Sequence, residues 1–123
     1  MFEYLAVFIG GGVGSVARFA ISGWALNHQG SFPLGTLLSN ILSCLLLGFI
    51  VGLIQSKNQS NAVVTTFFTV GFCGGFSTFS TFTSETLHLM RAGLFLEMGG
   101  NILGNLLLCA GGVFAGFYIS KYF

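Results

Sequence analysis

The chain has 123 residues, of which 54% are hydrophobic and 19 are Gly, while 6% are charged and Asp is absent. A water-soluble domain carries about 25% charged residues, so this composition excludes a cytosolic globular protein and a disordered chain. It also excludes a nucleic-acid binder, which needs a basic face, and the net charge of +1 creates no long-range field.

The charges punctuate the chain into segments of membrane length. A membrane helix needs roughly 20 apolar residues, and the stretches 19–56, 58–84 and 98–120 carry no charge. The first span, 4–26, is interrupted only by Arg18; it opens with Glu3 rather than basic residues, so it reads as a mature helix and not a signal peptide. The segment NHQGSFP (27–33) supplies a turn, with the only Pro, before a second span at 34–55. A third follows at 62–90 and a fourth at 96–120, so residues 1–123 are expected to form a single four-helix transmembrane domain. With the N-terminus inside, Lys57 and Lys121 oppose Arg91 outside, a bias too small to fix orientation. Two readings stand side by side: insertion both ways to form an antiparallel homodimer, or one orientation resolved by the membrane machinery.

Small residues four apart let helix backbones approach closely in lipid. Every span has such a pair: Gly10 and Gly14, Gly48 and Gly52, Gly71 and Gly75, Gly100 and Gly104, Gly112 and Gly116. Tight packing on so many faces leaves little room for a polar pathway inside four helices, which favours an oligomer. Cys44, Cys73 and Cys109 all fall inside spans, at spacings unlike a zinc set, and read as packing thiols.

The third span holds the chemistry. Its segment GFCGGFSTFSTFTSE (71–85) puts Gly, Ser and Thr where a membrane helix wants neither. The helix is expected to unwind near Gly74–Thr78, which lipid tolerates only inside protein or along a wet cavity. The freed carbonyls then hold a cation, or a kink is satisfied by the neighbouring hydroxyls. Phe76, Phe79 and Phe82 recur every three residues and share one face. They either pack, or present their positive ring edges to an anion. Glu85 is a snorkelling anchor or a functional partner.

The strings GGGVGSVARF (10–19), FPLGTLLSNILSCLLLG (32–48) and GFCGGFSTFSTFTSE together resemble the Fluc/CrcB family of fluoride channels. The resemblance implies a dual-topology antiparallel homodimer with two narrow fluoride pathways along the subunit interface. It also implies one structural sodium ion on the twofold axis, bound by main-chain carbonyls that fall here on Gly74 and Ser77. The pore phenylalanines fall on Phe79 and Phe82, the pore asparagine on Asn40, and the first-motif arginine and closing acid on Arg18 and Glu85, read as structural or vestibule groups. Along the fourth span Asn101, Asn105 and Cys109 stand at i, i+4, i+8, where the family carries hydroxyls. Buried amides are costly unless bonded, so this face looks into the bundle. Ser39 and Ser43 either widen the polar track or bond backbone.

Fluoride is small and strongly hydrated, so a pore must replace its water without holding it. Asn40, Asn101 and Asn105, the hydroxyls of Thr78, Ser80 and Thr81, and the edges of Phe79 and Phe82 supply many weak partners. The expected physiology is passive fluoride export from a multi-pass plasma or inner membrane protein. A proton-coupled exporter of the small multidrug resistance type needs a titratable acid in mid-span, and Glu3, Glu85 and Glu97 sit at or near span ends. A non-transporting scaffold leaves the broken third span unexplained. An enzyme lacks its constellation: His28 and His88 sit in or near loops, where solvation is the default.

Overall fold

A computed structural model describes residues 1–27, 30–57 and 61–123; His28, read above as a loop histidine, lies outside the described residues. The described chain is all helical. Helix α1 spans Phe2–Leu26 and α2 Leu34–Lys57. The third span is composite: α3 (Ala62–Thr66), a π-helical stretch Phe67–Phe72, α4 (Cys73–Phe76) and α5 (Phe79–Arg91). Helix α6 covers Phe95–Ser120. Four of these runs, including Ala62–Arg91 taken together, are long and apolar enough to cross a membrane.

Local chemistry sets the boundaries. Pro33 precedes α2, and its carbonyl accepts the Leu37 amide at 3.3 Å; a residue with fixed φ and no N–H suits a helix start. The Asn61 carboxamide caps α3, accepting from the amides of Val63 and Val64 at 3.0 and 3.3 Å. Gly93, at φ 73°, turns the chain from α5 into α6 in a conformation that costs a residue with Cβ dearly.

The glycines decide which helices touch. Helix α1 lies on the first half of the third span, where a Cβ on Gly10 would stand 3.2 Å from the Gly71 Cα. One on Gly14 would stand 2.8 Å from the Phe76 amide nitrogen. Helix α2 lies on α6 in the same way: a Cβ on Gly116 would stand 2.8 Å from the Phe49 nitrogen. Gly100 and Gly104 face the side chains of Phe32 (3.3 Å) and Leu37 (3.7 Å), and Gly52 those of Ser120 (2.8 Å) and Phe117 (3.2 Å), rather than backbone. The π-helical stretch, unforeseen in the sequence, lies where α1 presses closest.

Polarity is inverted relative to a soluble protein. The fully buried side chains are Asn101, Ser39 and Ser120, whereas Phe8, Phe19, Phe114 and Leu96 stand outside. Hydrocarbon solvent asks for this arrangement, because polar groups must find partners within the protein.

Candidate functional site

Between α4 and α5 the backbone leaves the helix for two residues, Ser77 (φ −83°, ψ 160°) and Thr78 (φ −155°, ψ 121°). The interruption is narrower than the expected Gly74–Thr78, since Gly74 and Gly75 remain helical. An extended residue has an amide and a carbonyl aimed sideways, and Asn40 of α2 meets both. Its Oδ1 accepts the Thr78 N–H at 2.7 Å, and its Nδ2 donates to the Thr78 carbonyl at 3.3 Å. The carboxamide thus stands in for a neighbouring peptide. Thr78 then caps α5, its Oγ1 accepting the Thr81 amide at 3.2 Å.

The same two diversions release two carbonyls. The Thr78 amide would close onto Gly74 in an unbroken helix and donates to Asn40 instead. The Thr81 amide would close onto Ser77 and donates to the Thr78 hydroxyl. Gly74 is exposed, with open space where a Cβ would be. Two hard carbonyl oxygens lacking their helical donors fit an alkali cation by donor chemistry.

A polar series runs on from Asn40 into α6. Asn40 Nδ2 donates to Asn105 Oδ1 (2.8 Å), and Asn105 Nδ2 donates to Asn101 Oδ1 (2.9 Å) and carbonyl (3.0 Å). Asn101 Nδ2 donates to Thr86 Oγ1 (3.0 Å), which donates to the Phe82 carbonyl (2.7 Å). Asn105 faces inward to the break, whereas Asn101, at 0% exposure, stands a turn behind it. Thr86 was missed by sequence reading, because a hydroxyl among several in α5 carries no mark of its partner across the turn. Ser39 and Ser43 bond backbone, donating to the carbonyls of Gly35 and Cys73 at 2.8 Å each.

These groups surround a cavity of about 440 Å³, lined by Asn40, Ser77, Thr78, Phe79, Phe82 and Asn105, with Cys44, Cys109 and apolar α6 side chains completing it. The Phe79 and Phe82 rings lie 5.4 Å apart at 49°, and Phe79 is 79% exposed on the open side. Phe76 does not join them. The extended pair shifts the helical phase, so Phe76 is buried against Phe72, with ring centroids 5.5 Å apart. Ser80 and Thr81 are exposed beside the cavity, the hydroxyl of each within 3.2 Å of Thr78 Oγ1.

Glu85 belongs to a second, more polar cavity of about 310 Å³ beside the α1–α2 turn. Thr36 Oγ1 donates to its Oε1 at 2.7 Å, and its Oε2 is buried without a partner among the described residues. Arg18 lies on α1, half-buried and outside the residues lining either cavity.

Apolar helices enclosing buried carboxamides and hydroxyls define a multi-pass protein of the cell membrane. Residues 5–117 match the family described as CrcB-like protein, Camphor Resistance (CrcB). The chain belongs to this family. It is similar to the fluoride-specific ion channel FluC of Pyrococcus furiosus, with 45% identity over 97% of this chain and 96% of that one. The fluoride-specific ion channel FluC of Opitutus terrae is 40% identical over 92% of this chain and 88% of its own. That of Phocaeicola vulgatus is 39% identical over 98% and 100%.

Proposed function

We propose that this chain is a fluoride-selective channel that lets F⁻ leave passively across the cell membrane and so lowers cytoplasmic fluoride. One observation carries the reading: the interrupted third span brings an extended backbone, two phenylalanine rings and two carboxamides to a single cavity. The names of the relatives point the same way and do not favour a proton-coupled exporter.

The interruption lies at membrane depth, where only a backbone with partners survives. A dehydrating fluoride needs several weak donors, because a full positive charge at the midplane traps it. The Nδ2 groups of Asn40 and Asn105 each make two hydrogen bonds, so they hold the wall polar and rigid while Asn101 orients Asn105 from behind. The hydroxyls of Thr78, Ser80 and Thr81 bond one another, and on arrival of the ion an O–H turns from its neighbour to the anion. The edges of Phe79 and Phe82 carry partial positive charge and complete its shell. Arg18 and Glu85 stand off this path, in structural or vestibule positions.

A second, antiparallel copy covers the open side of the cavity in this reading, which the exposure of Phe79 and the weak charge bias support. The Gly74 and Ser77 carbonyls would hold a sodium ion there, which supplies a fixed positive charge between the two copies when bound.

The decisive experiment uses potassium-loaded liposomes with valinomycin, sodium present on both sides, and a fluoride electrode outside. Rapid fluoride efflux with no proton gradient is expected, with chloride efflux far slower. Efflux that appears only with a gradient, or none at all, overturns the channel.

A further inference from the structure

Two thiols in the cavity wall have no part in the reading above. Cys44 of α2 and Cys109 of α6 both line the cavity, and both are free and half-buried. Cys73 is also free, but it is 3% exposed and does not line the cavity. The close approach of α2 and α6 brings the cavity pair together. A Cβ on Gly112, one turn beyond Cys109 on the same face, would stand 3.5 Å from the Cys44 Cβ. Both side chains therefore belong to one patch of the α2–α6 seam.

We propose that Cys44 and Cys109 form a two-sulfur binding site, in the wall of the cavity, for a soft d¹⁰ cation of the Ag(I) or Cu(I) class. Thiolate sulfur selects such ions over hard ones, and two sulfurs in a line satisfy them. With metal–sulfur bonds of about 2.3 Å, as for zinc thiolates, a linear site sets the sulfurs roughly 4.6 Å apart, a span that side chains on the closely packed α2 and α6 reach. Each thiol gives up its proton to water as its bond to the metal forms, and no electron is transferred. The cavity provides the entry path, and Ile102 and Leu106 give its wall an apolar stretch beside the thiols. The site differs in kind from the Gly74 and Ser77 carbonyls. Hard oxygens prefer an alkali ion and sulfur a soft one, so the two do not compete.

The test uses the full chain in detergent, reductant removed, in halide-free buffer, with silver nitrate as the probe. Native mass spectrometry is expected to find one silver ion per chain. Maleimide labelling read by peptide mass spectrometry is expected to fall at Cys44 and Cys109 together and to be unchanged at Cys73, with dithiothreitol restoring it. Cys44→Ser and Cys109→Ser are each expected to weaken silver binding about 100-fold, the loss of a second tethered ligand, whereas Cys73→Ser retains it. Protection of only one cavity thiol, protection of Cys73, or unchanged affinity in Cys109→Ser overturns the site. None of these readouts passes through transport, so the result stands apart from the flux assay.

Discussion

Asn40 gives Thr78 what a neighbouring strand gives an extended residue, a donor and an acceptor at the right spacing. Interhelical hydrogen bonds in membrane proteins contribute about 0.6 to 2 kcal/mol each. Asn40→Ala removes three of them, so a loss of about 2 kcal/mol in thermal or denaturant stability is expected, with fluoride flux falling as well. Ser39→Ala is the contrast, because that hydroxyl bonds only the Gly35 carbonyl of its own helix; stability close to wild type is expected. Phe79→Ile and Phe82→Ile remove a ring edge worth about 1.4 kcal/mol, hence about a tenfold drop in flux. Wild-type flux in both variants would sink their role in the path. At this scale, Asn40, Asn105, Ser77, Thr78 and the two rings singled out from the sequence line one cavity, with Ser80 and Thr81 beside it. It could not rank Asn101 against Asn105. A spacing of four puts both on one face, and only the packing of α5 across α6 seals the first and opens the second.

Glycine spacing carried much of the packing of the elements. Pairs at 10/14, 48/52, 71/75 and 112/116 all fall at close helix contacts, and the α2–α6 seam follows directly from two of them. Gly116→Ala is therefore expected to be destabilising by a few kcal/mol, about 1–3 for overpacking, because the Phe49 nitrogen and Leu45 carbon leave no room. Gly111, five residues earlier on the other face, has nothing within 4 Å of an added Cβ. Gly111→Ala is expected to keep or raise stability by up to about 1 kcal/mol, and thermal unfolding in detergent separates the two. The internal geometry of the third span was less legible. Propensity located weakness in a Gly-rich run, but the break falls after the glycines, where Asn40 supplies partners. Periodicity therefore grouped Phe76 with rings from which two extended residues separate it.

For the molecule as a whole, buried carboxamides and exposed phenylalanines follow from the membrane setting. If the chain inserts in both directions, as its weak charge bias allows, an impermeant protease should clip an N-terminal tag on about half of the copies in sealed vesicles. Cleavage of all or none excludes dual insertion. Replacing sodium on both sides by N-methyl-D-glucamine is expected to abolish fluoride flux reversibly; undiminished flux after exhaustive exchange removes the proposed ion. Composition revealed the membrane setting because lipid changes what a surface must be. The exposure of Phe79 on the open side was less visible, since its neighbour Phe82, three residues on, looks the same in a sequence.

The hydrogen bonds from Asn40 through Asn105, Asn101 and Thr86 all point one way and end on the main chain of Phe82. The backbone that carries this ring is consequently moored to an amide on the opposite bank by a directional tether, beside the direct bonds of Asn40 to Thr78. Cutting any link should slacken the same rope, so double substitutions along it will cost less than their separate losses combined.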